Sequence, residues 1–520
     1  MKKAIIFMLV AIVLLSTFSA CTPQSDNDNV GVDTSADSQS SGGDGLASIP
    51  SQDLEKDPAE STPAEDLKDL YPNLNLDEKE VNIVSRNHPW NIDEVKVETQ
   101  NADPINDAIY DRNINVEKAL NVKIKNTLIP SGISENFVVV DELKKTSGPD
   151  CPYHIVANNA YTSFANISEG YFKNLRDVAY LDLSKDYWAP YFNPEASIGN
   201  RQYFATGAAS LTLYRMIFVT FFNKDLATYY NLENLYDVVD DGRWTLDYQA
   251  KIVSNMWSEE DGRDGKTEGD TYGFLTDDGL CVDVYISACD VQILVKDKDD
   301  FYTFTPQKER ADEMMSKINN LYRKSGGTYV FDRQGDYSQF DKMHEKFASG
   351  EATMITERLM TVENEVFRNM DMPYGIIPIP KLNEAQSSYY SHAHDQFTIW
   401  GIVNSAVTDP IVDELGAVLE ALAIESKRTV TPAYYEVALK GKYSKDTESW
   451  AMLDMIVGSL KINGGCLYTT KLDNLSQKFR DAVTAKRNDT TFIFNAVKLQ
   501  QLNLALERLQ NDIKIMQSEE

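Results

Sequence analysis

The residues that could do chemistry in this 520-residue chain fall into a few short stretches. Arg86-Asn87-His88-Pro89-Trp90 and Asn158-Asn159-Ala160-Tyr161 each set an aromatic ring near a polar group. Trp90 and Tyr161 offer faces for stacking, while Arg86 and Asn158 can hydrogen-bond hydroxyls. Glu357-Arg358 joins a carboxylate to a guanidinium, a pair suited to hydroxyls or to a zwitterion. His392 and His394 share one face if their segment is a strand, and Asp395 adjoins them. No third well-placed ligand is visible in sequence, so His394 and Asp395 read as hydrogen-bonding groups for a substrate, not as a metal centre. No cofactor is expected.

Other chemistries are excluded by spacing. There is no H-E-x-x-H helix and no G-x-S-x-G elbow. Gly265-Lys266-Thr267 has Glu260 where a phosphate loop needs its first glycine, and no strand precedes it. The same turn makes a poor calcium loop, with Glu260 and Gly262 at the first and third ligand positions and Thr271 in place of the closing glutamate. Cys151, Cys281, Cys289 and Cys466 form no C-x-x-C pair and read as buried small hydrophobes. A net charge of −30 argues against nucleic acid or an anionic membrane surface as partner.

These groups must be positioned by alternating elements. A strand over 81–85 precedes a helix over 104–120, with Asp103 as cap, Pro104 at its first position and the stripe Ile105, Ile109, Val116, Leu120. A strand over 121–128, a helix over 134–147 and a strand over 153–157 follow. This β-α-β-α-β order predicts a mostly parallel sheet, whose ligands belong beyond the strands' carboxyl ends, at 86–90 and 158–161. Met216–Phe222 is a buried strand, Asn223 caps a helix over 224–230, and Thr245 caps the next. A helix over 340–347 leads to a strand over 352–356, another strand covers 374–380, and 410–425 reads as an amphipathic helix.

Met1-Lys2-Lys3, the apolar run 4–15 and the small residues before Cys21 have the three regions of a secretory signal. Phe18-Ser19-Ala20-Cys21 resembles a bacterial lipobox, which implies a diacylated Cys21; Phe18 departs from the usual leucine. Residues 22–66 have almost no large apolar side chain and are expected to be a disordered tether.

Four motifs then occur in one order. The run Leu211–Leu246 resembles the inter-lobe crossing of extracellular solute-binding proteins of ABC importers, and the helix Asp103–Asn121 resembles the first helix of clostridial members. FASGEATMITER (347–358) resembles that family's F-x-x-G-x-A-x-M motif, YGIIPIP (374–380) the strand after it, and TPAYYEVALKGKY (431–443) its third crossing. The resemblance runs from Val81 to the C-terminus. It implies a two-lobed α/β fold of type II, each lobe a mostly parallel sheet flanked by helices. The first lobe would be 76–210 with 396–440, and the second 211–395 with 441–520. It also places Glu357 and Arg358 at ligand-reaching positions, points Tyr434 or Tyr435 into the cleft, and makes 388–403 the second crossing. The function implied is that of an extracytoplasmic, lipid-anchored binding protein. It would capture a small solute by hinge closure and pass it to permease subunits, without catalysis and as a monomer. With 27 tyrosines, a carbohydrate is the favoured ligand class. An exported glycoside-active enzyme, needing only two carboxylates among 80 acidic residues, and a surface adhesin remain the alternatives.

Overall fold

A computed structural model describes residues 66–519, apart from 133–134, 149, 333–337 and 444–445. The signal segment, Cys21 and nearly all of the tether lie outside the described residues, as does the start of the helix expected from 134.

Eleven strands are described: β1 (Lys79–Asn87), β2 (Val122–Pro130), β3 (Ile155–Asn159), β4 (Phe218–Asn223), β5 (Tyr272–Asp277), β6 (Leu294–Lys296), β7 (Tyr302–Phe304), β8 (Thr328–Phe331), β9 (Ala352–Arg358), β10 (Tyr374–Ile377) and β11 (Thr398–Ile402). They make a four-stranded sheet in the order β11-β3-β1-β2, a five-stranded sheet in the order β10-β4-β9-β5-β8, and the hairpin β6-β7.

The first sheet follows from helical crossovers. The helix Pro104–Leu120 links β1 to its parallel neighbour β2. Asp103 Oδ1 accepts the N–H groups of Ile105 and Asn106, and Asn121 ends the helix in the left-handed region. All four residues of the expected stripe are buried. The helix Val138–Thr146 then leads to β3, parallel to β1, while β11 closes the edge antiparallel to β3.

The second sheet is evenly mixed, unlike the mostly parallel one expected. β5 runs parallel to β8 and β9, but β4 runs antiparallel to β9 and to β10. The reason is that β4 is the first strand of this sheet and enters it from the other lobe after the short helix Leu211–Arg215, with no crossover from a strand of its own sheet to set its direction.

The helix expected to be amphipathic over 410–425 is instead Val412–Glu425, buried on every side from Leu415 onward. It packs against the 104–120 helix, and the segment 178–188 covers it from outside. Gly416 is required there, since a Cβ would stand 2.4 Å from the Ala179 carbonyl oxygen. Its buried Glu420 accepts Trp188 Nε1–H at 2.8 Å, which makes Trp188 a packing residue. Cys151, Cys281 and Cys289 are buried and Cys466 half-buried, all as free thiols.

Candidate functional site between the two sheets

Two of the three chain crossings lie side by side. The residues leading into β4 pair antiparallel with 392–394: Phe218 N–H donates to His392 O and His394 N–H to Met216 O, both at 2.9 Å. One chain runs from the first sheet to the second and the other runs back, so the two form a narrow ribbon. The third crossing follows the 412–425 helix through 433–443 to the helix Thr447–Gly458, which packs on β10. Tyr434 is completely buried there, with the Arg215 guanidinium 5.7 Å from its ring centre and the Tyr214 ring 6.5 Å away. It braces the crossing and does not line a cleft in this structure.

Beside the ribbon, side chains of both lobes meet. Arg86 and Trp90 come from the end of β1 and the loop after it; Arg86 lies within the strand, not past its end. Glu357 and Arg358 are the last two residues of β9. The Arg358 guanidinium sits 5.1 Å from the Trp90 ring centre and 4.9 Å from that of Phe340, held between two aromatic faces. Trp90 also packs edge-on against His88 at 4.7 Å and His394 at 6.5 Å. The loop carrying it is pinned by Glu94, a buried carboxylate that accepts Thr212 N–H at 2.8 Å, the Thr212 hydroxyl at 2.9 Å and the Thr398 hydroxyl. Thr212 precedes β4 and Thr398 opens β11, so this one side chain ties the loop to both crossings.

The Glu357–Arg358 pair is not a surface salt bridge. Glu357 is wholly buried and Arg358 nearly so, with Nε 3.1 Å from Glu357 Oε2 and His344 Nε2 3.5 Å from Glu357 Oε1. Burial alone would raise the Glu357 carboxyl, but the Arg358 charge and the His344 contact outweigh it and hold the group well below the usual range. Burial pushes Arg86 down to about 10. It pushes His88 down to about 4, with help from the Arg86 charge, so His88 is neutral near pH 7. Burial also raises Asp395 to about 6, opposed by Arg480 and reinforced by Asp283.

The remaining sequence candidates divide. His394 Nε2 lies 3.4 Å from Asp395 Oδ1, and Tyr161 N–H donates to Asp395 O at 2.9 Å, which brings Tyr161 to the same place. Asn158 is not part of it: its amide donates to the Thr162 and Ser163 hydroxyls inside the first lobe. His392 faces Ser287, with Nδ1 3.1 Å from the hydroxyl. Among the described residues no three His, Cys, Asp or Glu side chains cluster to hold a metal ion. The turn 259–271 is organised by Asp270, which accepts the N–H groups of Glu260 and Thr267. His88, Glu94, His344 and Gln396 were missed in sequence. His88 stood inside a quoted loop, but nothing local marks the other three.

Two α/β lobes joined by paired crossings, with side chains of both meeting beside them, define the two-lobed fold of solute-binding proteins. No protein-family model matches the chain, and none of the curated proteins matches it in sequence. Solved structures match its fold. The cyclic alpha-maltosyl-1,6-maltose binding protein from Arthrobacter globiformis does so at a TM-score of 0.52 and 13% identity, over 83% of this chain and 98% of that one. An uncharacterized protein of Listeria monocytogenes matches at a TM-score of 0.51 and 11% identity, over 83% of this chain and 100% of that one. UspC of M. tuberculosis matches at 0.50 and 13% identity, over 82% of this chain and 100% of that one.

Proposed function

We propose that this chain is the extracytoplasmic substrate-binding protein of an ABC importer, capturing a sugar or oligosaccharide between its lobes. The observation that carries the reading is the contact of Trp90 with Arg358 beside the paired crossings. An aromatic face from one lobe and a fixed guanidinium from the other are what a polar ring with hydroxyl edges needs. The name of the Arthrobacter structure, a binding protein for a cyclic maltose derivative, supports the same ligand class.

In this reading, residues 76–210 with 396–440 and residues 211–395 with 441–520 are the lobes, and the chain acts as a monomer without turnover. Cys21 carries the lipid that holds it at the outer face of the cell membrane, beside the permease subunits. Closure around the ligand follows from differential affinity, since a solute that touches both lobes is fully contacted only when they are closed. Shifting the balance from 1:99 to 99:1 takes about 5.5 kcal/mol, within the roughly 8.2 kcal/mol of a micromolar binder.

A thermal-shift screen over mono- and oligosaccharides tests this. A true ligand at 100 times its Kd adds about 2.7 kcal/mol of stability, and it should shrink the radius of gyration in small-angle scattering. No shift with any saccharide, or release of product from chromogenic glycosides, sinks the proposal. The anchor is checked separately: Cys21→Ser should move the protein from the membrane fraction to the medium.

A further inference from the structure

Arg86 is 1% exposed, and only one edge of its guanidinium is engaged. Nη1 donates to Asn136 Oδ1 at 2.8 Å and to Gln396 Oε1 at 3.1 Å. Nε and Nη2, which share the opposite edge, are buried without a partner. That edge is the fork that receives a carboxylate or phosphate with two parallel hydrogen bonds. The same fork is filled elsewhere in the chain: Arg215 holds Glu363, Arg480 holds Asp283 and Arg243 holds Asp241. No carboxylate of the described residues fills it at Arg86.

The neighbouring groups add further buried donors without partners. His88 Nδ1 accepts the Trp90 N–H at 3.3 Å. In a neutral ring the proton then sits on Nε2, which is buried and has nothing to donate to. Arg358 Nη1 is a fourth buried donor without a partner, on a guanidinium already fixed between Trp90 and Phe340. The unpartnered acceptor of this loop, Asn91 Oδ1, belongs to an amide that offers donors when rotated. Of the nearby carboxylates, Glu357 Oε2 is engaged by Arg358, while its Oε1, 3.5 Å from His344 Nε2, accepts no hydrogen bond and is bound to Arg358 by charge; Asp395 faces His394.

Buried donors with no acceptor, around an unpaired buried charge, call for a ligand group that only accepts and carries negative charge. A neutral diol meets the first demand but leaves the charge uncompensated. We propose that Arg86, with His88 and Arg358, forms an oxyanion subsite, so that the captured solute is an acidic sugar bearing a carboxylate or a phosphate. This rests on the reading of the chain as a saccharide-binding protein. The chain's net charge of −30 opposes such a ligand only at long range, where salt screens it beyond about 8 Å.

The test compares acids with their neutral parents by calorimetry and thermal shift. The probes are glucuronate against glucose, galacturonate against galactose, the corresponding di- and trisaccharides, and glucose 1- and 6-phosphate. At least one acid should bind ten-fold or more tightly than its parent, and the uronate and phosphate arms decide which oxyanion is taken. Arg86→Met should abolish that preference, and Arg86→Lys, which keeps the charge but loses the fork, should reduce it at least three-fold. Neutral saccharides bound as tightly as their acids overturn the oxyanion subsite and leave the saccharide reading standing. Binding of no saccharide removes both. An acid preference undiminished in both Arg86 variants moves the subsite elsewhere and overturns the assignment; if either variant is unfolded, the wild-type comparison alone decides.

Discussion

The two lobes touch at two seams whose hydrogen-bond balances are opposite. Beside the crossings, Arg86, His88 and Arg358 bury donors with no acceptor. At the second seam, the β6-β7 hairpin and the C-terminal helices grip the segment 195–200, and the polar side chains Glu195, Ser197, Lys296, Asp300 and Tyr302 there are all answered. Lys296 Nζ bonds Ser197 O at 2.6 Å, Ser197 Oγ at 2.8 Å and Asp300 Oδ1 at 2.7 Å. Asp300 Oδ2 takes the Asn200 N–H at 3.0 Å, Tyr302 donates to Glu195 O at 2.9 Å, and Tyr468 to Ala196 O at 3.0 Å. Gly199, at φ +59°, lets Phe301 approach where a Cβ would be only 2.6 Å away. A seam complete in its own bonds is structural, whereas one short of acceptors is arranged for something else to complete it. The C-terminal helices therefore do more than cover the second lobe: Gln517 at their end donates to Gly199 O at 2.9 Å.

The largest effect that would break this contrast is at Arg358. As an exposed pair it would be removed without loss of stability, but its partner Glu357 is wholly buried. Arg358→Ala should lower the unfolding free energy by about 3 kcal/mol, because breaking a buried pair strands a charge. Chemical denaturation of the unliganded protein measures this, and an unchanged midpoint would mean that His344 alone compensates Glu357.

Next in size is the second seam. Lys296→Met should cost about 2 kcal/mol by leaving Asp300 without its cation, while ligand affinity stays within about three-fold. A variant that binds far more weakly would show that this seam also belongs to the binding equilibrium.

Asp395 supplies a pH signature. Its carboxyl is raised to about 6 in the folded chain, so between the unfolded value near 4 and pH 6 the folded state holds more protons than the unfolded one. Its contribution is therefore best below about pH 4 and is lost as pH rises through 6. Asp395→Asn should stabilise the protein by about 1–2 kcal/mol at pH 7.5, with the gain vanishing toward pH 4. A gain independent of pH would assign the effect to packing.

The smallest effect sharpens the comparison most. Arg86→Met removes a buried charge that lacks a full set of partners, so the unfolding free energy of the unliganded protein should stay level or rise, by up to about 1 kcal/mol. The opposite signs of Arg86→Met and Lys296→Met would separate the seam that awaits a ligand from the one that holds the fold. A drop in both would show that Arg86 is as fully paired as Lys296.

What the sequence determined by itself was local. The Asp103 cap, Pro104, the apolar stripe and the left-handed Asn121 bounded the 104–120 helix, because each signal acts within a turn of its own residue. Asn223 and Thr245 marked their helices the same way, by accepting the N–H groups of Leu226 and Tyr248. The order of elements predicted the first sheet, while the second lobe and the crossings were implied by the resemblance of four motifs. Tertiary structure decided which side chains met. The 412–425 helix carries charges that read as a solvent face, yet Glu420 is buried because Trp188, far away in sequence, covers it. Glu94 has no local mark at all, and only the docking of its loop on Thr212 and Thr398 gives its carboxylate a purpose. Asn158 and Arg86 looked alike as strand-end hydrogen bonders, but one found two hydroxyls and the other was left with an empty fork. Asn158 finds its partners four and five residues on, whereas those of Arg86 lie 50 and 310 residues away, and a linear pattern does not encode which distant groups reach a buried side chain.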